Sequence, residues 1–451
     1  MTDAGTSETA GGDRYLSRTG ALWMTAVFCI AGLVSYTDRL ILSVLVDPLR
    51  ADLGIGDAQV SLLQGAAFAV VYVLAGLPLG RLADRGRRRQ ILILGATIWC
   101  LGTVFCGLAP GFWSLFAGRL VIGVGEATLG PAAISMLADA VRPERRGAAV
   151  GVFLMGTVLG GPFAISIGGL LLASAQAGTF ADWPLLSTLS SWRIVLVLVG
   201  AGGLIVPLLF LTLTEPRRQQ VKAVAAPFSE LMLAFRRRWR VLVPLYLAMA
   251  LLSVGDYAVL SWVPTALSRG FGWPPDQIGR DFGLITAIAG IGAALAGGLL
   301  SDAASRRAGA RGRLWIAVVA AAAAAAAVLL IGAASPTLVL AGLGCWTFAS
   351  FFAAIGGIAA LQEVAPTEHR AVAISLVAFC NTLLGLGCGP TLVAFVTDAV
   401  FQHPDQVGPA IALSVAPAAA VATLLFVAAV RALSRQAQDE DPAPSAPVTG
   451  R

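Results

Sequence analysis

The chain has 451 residues, of which 57% are hydrophobic and 12% are charged, and its mean hydropathy is +0.81. Soluble domains carry about 25% charged residues, so this composition excludes a soluble enzyme or binding module and predicts an integral membrane protein. The net charge of +6 does not indicate nucleic-acid binding, because the basic residues lie in particular loops between apolar stretches.

A helix crosses the roughly 30 Å hydrocarbon core of a bilayer in about 20 residues. Apolar stretches of that length follow one another through the chain, and we expect each to form a membrane-spanning helix of an all-α fold. The twelve predicted spans lie at residues 21–46, 58–79, 90–109, 112–138, 147–173, 193–213, 241–267, 279–301, 314–334, 337–362, 371–397 and 408–431.

The distribution of Lys and Arg predicts the orientation, because cytoplasmic loops carry an excess of these residues. With the N-terminus inside, 25 of the 31 Lys and Arg residues lie on the inner side and 4 on the outer side, while Arg39 and Arg119 fall within spans. Both termini are therefore expected in the cytoplasm. An odd number of helices would destroy this partition.

The two halves of the sequence resemble each other. Gly80–Asp84, followed by a run of arginines, recurs as Gly298–Asp302, and Gly161-Pro162 recurs as Gly389-Pro390. Two parallel six-helix halves with a binding site at their interface are a transporter design. The repeat therefore predicts two pseudo-symmetric six-helix bundles.

The longest connection between spans sets the predicted domain boundaries. Apolar side chains at helical spacing among arginines in its second part predict a helix on the inner leaflet, although a solvated linker fits the same pattern. The predicted parts are a cytoplasmic N-terminal segment 1–19, an N-terminal bundle 20–213, a cytoplasmic linker 214–240, a C-terminal bundle 241–431 and a disordered cytoplasmic tail 432–451.

Charged residues inside the spans are the candidate functional site. Arg119 and Glu126 lie seven residues apart in the fourth span, and hence on one face of the helix. A charged group at membrane depth costs at least a few kcal/mol unless it faces protein or water, which favours a function. A fixed ion pair that orients the helices is the alternative.

The rise of about 1.5 Å per residue gives the depth of the other candidates. Asp38 and Arg39 lie past the middle of the first span, at a depth similar to that of Arg119 in the oppositely running fourth span. We therefore expect Asp38 to pair with Arg119, with Arg39 and Glu126 about a turn away. Asp256 lies near mid-depth in the seventh span.

Other classes of function lack their sequence signatures. The chain has no HExxH, GxSxG or Walker motif, and His369 and His403 both fall in loops. We therefore expect neither an enzyme nor an ATP-driven pump, and no cofactor. The cysteines have no metal-ligand spacing, so no metal is expected. A channel would need a fixed pore lined by charged or carbonyl rings, which the paired halves disfavour.

The loop after the second span, GRLADRGRRR at Gly80–Arg89, closely resembles the signature of the major facilitator superfamily. It departs from that signature at Arg87, where the family has glycine. With the twelve spans and the half-repeat, the resemblance covers nearly the whole chain and implies the fold of that superfamily.

The resemblance also implies contacts for this loop. Gly80 would let two helices approach closely, and Asp84 would face the N-terminus of the eleventh helix. Arg88 would pair with Asp139 at the end of the fourth helix. Such contacts would latch the cytoplasmic side shut, and a topology-fixing basic loop is the alternative. The residues of this predicted cytoplasmic gate are Gly80, Asp84, Arg85, Arg88 and Asp139.

Three shorter stretches carry narrower resemblances. Leu115–Gly125, which contains Arg119, resembles the superfamily's membrane-embedded arginine motif, which is tied to proton coupling. Gly156 with Gly161-Pro162 is similar to its antiporter motif. Ser35–Arg39, together with Glu126, resembles the Spinster family, whose members move lysophospholipids and sphingoid-base phosphates.

In this superfamily the first, fourth, seventh and tenth helices line the central cavity, so the resemblance implies that the five embedded charged residues converge there. Arg39 and Arg119 would bind an anionic headgroup, for which arginine is suited. Burial favours the neutral form of Glu126 and the arginines favour its charged form. Glu126 is therefore the first candidate for a proton carrier, before Asp38 and Asp256.

We therefore predict a secondary active transporter that moves a lysophospholipid or sphingoid phosphate by alternating access and is coupled to protons through Glu126. A drug or organic-anion carrier coupled to protons and a transport-dead membrane sensor are the alternatives. The expected partners are the lipid-like substrate, protons and membrane lipids, without nucleic acid. The protein is expected to be a monomer in a bacterial inner membrane.

Overall fold

The computed structural model describes residues 15–219, 228–366 and 369–440. Within these ranges the chain is helical and contains no β-strand. Eleven helical runs are long and apolar enough to cross a membrane, and one of them, Pro275–Gly332, has 58 residues. That run breaks at Ala308 and Gly309, where glycine adopts a φ of 55° that other residues rarely reach. It supplies two spans, so the described ranges contain the twelve predicted.

We number the membrane helices in chain order. They are α1 (Arg18–Leu40), α2 (Asp57–Ser61, Leu62–Ala66 and Ala67–Arg85), α3 (Arg88–Leu108), α4 (Phe112–Glu126 and Leu129–Ala140), α5 (Pro143–Gln176), α6 (Ser191–Gly203 and Ile205–Leu211), α7 (Phe228–Phe271), α8 and α9 (Pro275–Ala327, before and after the break), α10 (Pro336–Val364), α11 (Arg370–Cys380, Asn381–Leu386, Gly387–Phe395 and Val396–Phe401) and α12 (Val407–Glu440).

Three of the first four helices are irregular near the charged residues. Helix α1 ends at Leu40 and continues as a 3₁₀ turn, Ile41–Val44. Helix α2 contains a π-helical turn at Leu62–Ala66. The regular part of α4 stops at Glu126 and resumes at Leu129. Such turns interrupt the i→i−4 pattern and leave backbone carbonyls available to side chains.

Glycines bring α1 against α5 at close range. A Cβ atom added at Gly156 would lie 2.1 Å from the carbonyl oxygen of Cys29, so only glycine fits there. Packing through small residues is the usual way for membrane helices to associate, because lipid provides no hydrophobic drive between them. The glycine that resembles part of an antiporter motif therefore holds α1 in place.

The chain divides into two compact units, and the predicted bounds of the two bundles stay a prediction. The second part of α7, the first part of α8 and the end of α11 group with the first half of the chain. Unit 1 is Met1–Ala225, Leu260–Ala287 and Pro390–Val407, and unit 2 is Ala226–Val259, Ile288–Gly389 and Gly408–Arg451.

The linker and the tail differ in how they match the sequence predictions. A helix is present in the second part of the linker, since α7 begins at Phe228 and has a backbone break at Arg238; its position on a leaflet stays a prediction. Helix α12 continues to Glu440, so the prediction of disorder is wrong for 432–440. This stretch keeps strong helix formers such as Ala, Arg and Gln.

Candidate functional site

Four charged side chains of α1 and α4 form one buried cluster in unit 1. Asp38 and Arg39 come from the last turn of α1, and Arg119 and Glu126 come from α4. Their exposed fractions are between 1% and 4%. The structure therefore places four of the five predicted site residues in one buried region of unit 1. Two cations and two carboxylates leave this cluster without net charge when all four are ionised.

Arg39 and Glu126 form the ion pair of this cluster. Arg39 Nη2 donates to Glu126 Oε2 at 2.8 Å, and Ser35 Oγ donates to the same oxygen at 2.7 Å. Among the described residues, none donates to Glu126 Oε1. Removing one partner of a buried pair costs about 3–5 kcal/mol, because the other charge is left uncompensated. A change in the charge of Glu126 must therefore be accompanied by a new partner for Arg39.

Three aromatic rings surround the guanidinium of Arg39. Its Cζ lies 4.7 Å from the ring centroid of Tyr36, 4.6 Å from that of Phe68 and 4.9 Å from that of Tyr72. A cation over an aromatic face gains about 0.5–2 kcal/mol, with the larger values in desolvated sites. The rings stabilise the cation independently of Glu126, and this reduces the cost of exchanging the carboxylate for another anion.

Arg119 binds backbone carbonyls, so its predicted pairing with the Asp38 carboxylate is wrong. It donates to the carbonyl oxygens of Leu63 at 2.9 Å, Asp38 at 3.2 Å and Arg39 at 3.3 Å. The carbonyls of Asp38 and Arg39 belong to the last turn of α1, where the helix supplies no N–H donors. A cation there also offsets the negative end of the helix dipole. Arg119 thus holds the irregular end of α1.

The Asp38 carboxylate binds a neutral donor instead. Thr103 Oγ1 of α3 donates to Asp38 Oδ2 at 2.5 Å. Within the described ranges no residue donates to Asp38 Oδ1, although the side chain is buried. The rise per residue predicted that Asp38 and Arg119 lie at a similar level, as the bond from Arg119 to the Asp38 carbonyl shows, but it did not predict the direction in which the Asp38 side chain points.

Asp256, the fifth predicted site residue, belongs to unit 2. Its Oδ1 accepts hydrogen bonds from Trp346 Nε1 at 3.1 Å and from Ser350 Oγ at 2.6 Å, both on α10. The pairing of α7 with α10 in this way was not predicted. The convergence of Asp256 with the other four residues stays a prediction.

The predicted ion pair of the cytoplasmic gate is present. Arg88 Nη1 lies 2.5 Å from Asp139 Oδ2, and both residues are buried. Glu215, which the sequence did not single out, accepts from Arg88 Nε at 3.0 Å and from the backbone N–H of Arg89 at 2.8 Å. A carboxylate at the N-terminus of a helix is favourable for the dipole, so Glu215 fastens the start of the linker to α3.

The contacts expected for the other gate residues, Gly80, Asp84 and Arg85, are not confirmed. A Cβ added at Gly80 would lie 4.0 Å from Pro131, an ordinary contact, so the expected close approach of helices is not seen at this glycine within the described residues. Asp84 and Arg85 are helical in their backbone, but their side chains lie outside the described part of the structure. Their roles in a latch therefore stay predictions.

An ion-pair group in unit 2 repeats the arrangement of Arg88 with Asp139 in unit 1. Arg313, near the start of the transmembrane part of α9, donates to Glu363 at 2.5 Å and lies 3.1 Å from Asp302. Arg313 and Glu363 stand 225 and 224 residues after Arg88 and Asp139, so the half-repeat could have revealed them. The group borders a cavity of about 350 Å³ that Arg370 also lines.

Arginines of the predicted outer side are paired with aspartates in unit 1. Arg269 of α7 binds both carboxylate oxygens of Asp57, at 2.8 Å and 2.9 Å, and also Asp47 at 2.7 Å. Arg50 lies 3.1 Å from Asp57. Asp57 is 1% exposed. This network, which we call the Arg269 clamp, connects the second half of the sequence to the beginning of α2, and no sequence motif predicted it.

Asp52 receives a separate set of donors near the clamp. Trp192 Nε1 donates at 2.9 Å, and Ser190 and Arg193 each donate at 3.2 Å. Burial would raise the pKa of Asp52, but these hydrogen bonds outweigh it and hold the pKa below its usual value. The group fastens α6 to the short helix Val46–Leu53.

An apolar groove of about 520 Å³ also lies in unit 1. Its only charged lining residue among those described is Arg280, whose side chain is 66% exposed. The groove places an apolar surface beside Arg280, whose Nε atom lies 3.4 Å from Asp281 Oδ1. The lining residues are Leu33, Leu159, Pro162, Phe163, Ser166, Arg280, Gly283, Leu284 and Ala287.

The described ranges contain no group of three or more His, Cys, Asp or Glu residues that could hold a metal ion. The four side chains of the buried cluster can take part in ion-pair exchange and hydrogen bonding, and its carboxylates can bind protons.

Comparison with known proteins finds a family whose profile matches most of this chain, together with individual sequence relatives. The profile of the Major Facilitator Superfamily matches residues 28–390. An MFS-type efflux pump of Mycolicibacterium smegmatis is 28% identical over 417 residues, which cover 90% of this chain and 89% of the pump. Protein spinster homolog 1 of Homo sapiens is 30% identical over 204 residues, which cover 44% of this chain and 35% of that protein.

A solved structure extends the similarity to the fold. The crystal structure of a bacterial homolog to the human lysosomal transporter Spinster, inward-facing and unoccupied, matches with a TM-score of 0.77 at 25% identity. The match covers 95% of this chain and 100% of the other. The resemblances to the major facilitator superfamily and to the Spinster family are confirmed, whereas those to the embedded-arginine and antiporter motifs stay predictions.

Proposed function

The chain belongs to the major facilitator superfamily, and on this premise we propose that it moves an amphipathic anionic or zwitterionic lipid-like substrate by alternating access. The substrate class is that of lysophospholipids and sphingoid phosphates. The similarity to Spinster proteins supports this class, and so does the apolar groove beside Arg280 in unit 1. In this proposal the apolar surface binds the acyl chain, and the guanidinium of Arg39 binds the anionic headgroup.

The observation that carries the proposal is the ion pair of Arg39 with Glu126. An anionic headgroup competes with Glu126 for the guanidinium of Arg39, because both offer oxygen acceptors to the same N–H donors. When the headgroup binds, Glu126 loses its cation in a buried site and takes a proton instead. The rings of Tyr36, Phe68 and Tyr72 stabilise Arg39 during the exchange.

Proton coupling follows from this exchange. Release of the headgroup returns Arg39 to Glu126, and the carboxyl group then loses its proton. If the two exchanges take place with access to opposite sides of the membrane, each substrate moved is linked to one proton. Arg119 keeps the end of α1 in position throughout, since its three donor nitrogens are bound to backbone carbonyls.

The test is uptake of a labelled lysophospholipid into proteoliposomes with and without an imposed pH gradient. Glu126→Gln keeps the size of the side chain and removes its charge, so it should abolish the response to the gradient while the protein elutes as a folded species. Glu144→Gln, at an exposed position in the first turn of α5, is the matched control and should respond like wild type. Normal pH-driven uptake by Glu126→Gln would refute the proton role.

A second candidate function is a drug or organic-anion carrier. The efflux pump of Mycolicibacterium smegmatis favours it, since its similarity covers nine-tenths of this chain. The same ion-pair exchange serves any anionic group, so competition decides between the two. Lysophospholipids should inhibit uptake of an organic anion if lipids are the substrate, and they should not if the site takes small hydrophilic anions.

We also propose that the protein is a monomer in a bacterial inner membrane with both termini in the cytoplasm. The arginine distribution supports this orientation. Tags placed at the two ends should be accessible to a protease in inside-out vesicles and protected in right-side-out vesicles. Protection of only one end in either preparation would contradict the even number of spans.

A further inference from the structure

A row of buried polar side chains lies between α2 and α7 in unit 1, toward the predicted outer side. Gln64 of α2 donates through Nε2 to the carbonyl oxygen of Ser261 at 3.5 Å, and Arg269 binds Asp57 about two turns further out. We call this row the polar seam, and all of its members belong to unit 1. They are Asp57, Ser61 and Gln64 on α2, and Ser261, Thr265 and Arg269 on α7.

Helical spacing explains why these residues form a continuous row. Ser261, Thr265 and Arg269 are four residues apart, so they lie on one face of α7. The contacts of Gln64 and Asp57 show that this face is turned toward α2, which runs in the opposite direction. Seven residues separate Asp57 from Gln64, so the seam is about 10 Å long at the rise of an α-helix.

Two polar atoms of the seam have no protein partner. Gln64 and Thr265 are each 3% exposed, and neither Gln64 Oε1 nor Thr265 Oγ1 forms a hydrogen bond with a described residue. By contrast, the buried hydroxyl groups of Ser61 and of Thr286 on α8 each donate to a carbonyl of their own helix. A buried polar atom without a partner costs free energy, and in proteins water usually satisfies such atoms. The seam is therefore built to take up water.

The seam connects two groups of charged residues. Its outer end is the Arg269 clamp. Its inner end adjoins the charged cluster, because the carbonyl oxygen of Leu63, next to Gln64 in the π-helical turn of α2, accepts a hydrogen bond from Arg119 Nε at 2.9 Å. The charged residues that border the seam are Asp47, Arg50, Asp57, Arg269 and Asp398 at the outer end and Arg119 at the inner end.

We propose that the polar seam fills with water when the Arg269 clamp opens, and that this water carries protons between the predicted outer side and the carboxylates of the charged cluster. The inference rests on the proposed function, to which it adds the outer route of the proton. A buried water needs two to four polar partners, and the seam offers Gln64 Oε1, Thr265 Oγ1 and the carbonyl of Ser261. Gln64 and Thr265 act as positioning residues for water, since neither side chain titrates near neutral pH.

The test uses proteoliposomes of the full-length protein that contain a pH indicator, with a labelled lysophospholipid added under an imposed pH gradient. Gln64→Leu and Thr265→Val remove the polar atoms and nearly keep the size of the side chains. Each should lower the initial rates of proton movement and of gradient-driven uptake at least about tenfold. The affinity for the lysophospholipid should change less than about twofold, because neither residue belongs to the charged cluster.

Two control variants and the stability separate this role from packing. Thr286→Val makes the same change at a residue of similar burial outside the seam and should leave both rates at the wild-type value. Thr265→Ser keeps the hydroxyl group and should retain most of the wild-type rates. Gln64→Leu and Thr265→Val should not lower the melting temperature, because apolar groups then replace buried atoms that had no protein partner.

A second measurement detects water in the seam without a substrate. Hydroxyl radicals produced by radiolysis oxidise side chains that lie beside water, so oxidation of the turn Leu62–Ala66 reports wetting of the inner end. Arg269→Gln removes the clamp and should raise this oxidation at least about tenfold. Addition of Gln64→Leu or Thr265→Val should suppress most of that rise, whereas addition of Thr286→Val should not.

Three outcomes overturn the inference. Wild-type proton movement in the double variant of Gln64→Leu and Thr265→Val would exclude the seam as the route. Equal losses in Thr265→Ser and Thr265→Val would show that the size of the side chain matters and its hydroxyl group does not. Unchanged oxidation in Arg269→Gln would show that water does not enter. The proposed function fails in a different way, because wild type would then take up no lysophospholipid at any pH while the oxidation in Arg269→Gln would still rise.

Discussion

The Arg269 clamp predicts how access to unit 1 responds to a single substitution. Arg269 connects α7 to Asp57 at the beginning of α2 and to Asp47. If the proposed alternating access opens the predicted outer side by separating this part of α7 from α2, it must break these bonds. Arg269→Gln removes the cation and should therefore raise the population in which this side is open.

The size of the expected shift follows from the burial of Asp57, the main partner of Arg269. Hydrogen bonds to charged groups contribute about 1.5–3 kcal/mol each, and Arg269 makes two to Asp57, which is 1% exposed. The bond to Asp47 adds little, because the side chain of Asp47 is 37% exposed. Arg50 still neutralises Asp57 at 3.1 Å, which lowers the penalty. A net loss of about 3 kcal/mol corresponds to a shift of about 100-fold in the equilibrium.

The assay is maleimide labelling of a cysteine at position 64, in a chain whose native cysteines are replaced by alanine. Gln64 is 3% exposed, and its side chain donates to the carbonyl of Ser261 on α7, so a cysteine there reacts only when α2 and α7 part. Arg269→Gln should increase the labelling rate between about tenfold and 100-fold.

Arg193→Gln is the matched control for this labelling. It breaks an ion pair with Asp52, but both residues belong to the first half of the sequence, so the labelling rate should stay at the parental value. An unchanged rate in Arg269→Gln, or an equal rise in Arg193→Gln, would refute the assignment of the clamp.

Two other predictions concern stability. The hydrogen bonds of Asp52 depress its pKa, so they stabilise the folded state above the unfolded pKa of about 3.9 and lose that effect as the pH falls through the folded pKa. The difference in melting temperature between wild type and Asp52→Asn should therefore be largest at pH 7 and shrink below pH 4. A difference that stays constant with pH would contradict this. Arg88→Gln should reduce the free energy of unfolding by about 3 kcal/mol and Arg313→Gln by about 1 kcal/mol. The reason is that Arg88 and Asp139 are both buried, whereas Asp302, a partner of Arg313, is 63% exposed. Equal shifts of the two variants in denaturation in detergent would show that burial does not set the difference.

The spans were predictable because hydropathy and length act along the chain alone. The break at Ala308 and Gly309 separates two helices that the sequence also separates, between 301 and 314. Arg88 with Asp139 was predictable as well, since the loop signature carries the pairing. The end of α12 was not, because Pro and acidic residues in the last part of the chain suggested disorder for positions that helix-forming residues keep helical.

The partners inside the charged cluster were not predictable from depth. A rise per residue fixes the height of Asp38 and Arg119 but leaves the rotation of each helix unknown. The end of α1 at Leu40 decides the result, because it presents free carbonyls at the height of Arg119. The aromatic rings around Arg39 come from α1 and α2, and no motif linked them. The clamp joins residues 212 positions apart, beyond the reach of local pattern.

Two ion pairs, Arg88 with Asp139 and Arg313 with Glu363, each join residues of the same half of the sequence, and we call them the arginine braces. Their partners lie 51 and 50 residues apart. Each brace needs only two neighbouring helices and the loop between them, so the first can close while the ribosome is still making the second. Protein segments generally fold in the order of their synthesis. Each half of the chain thus carries its own means of locking its third and fourth helices together as they enter the bilayer.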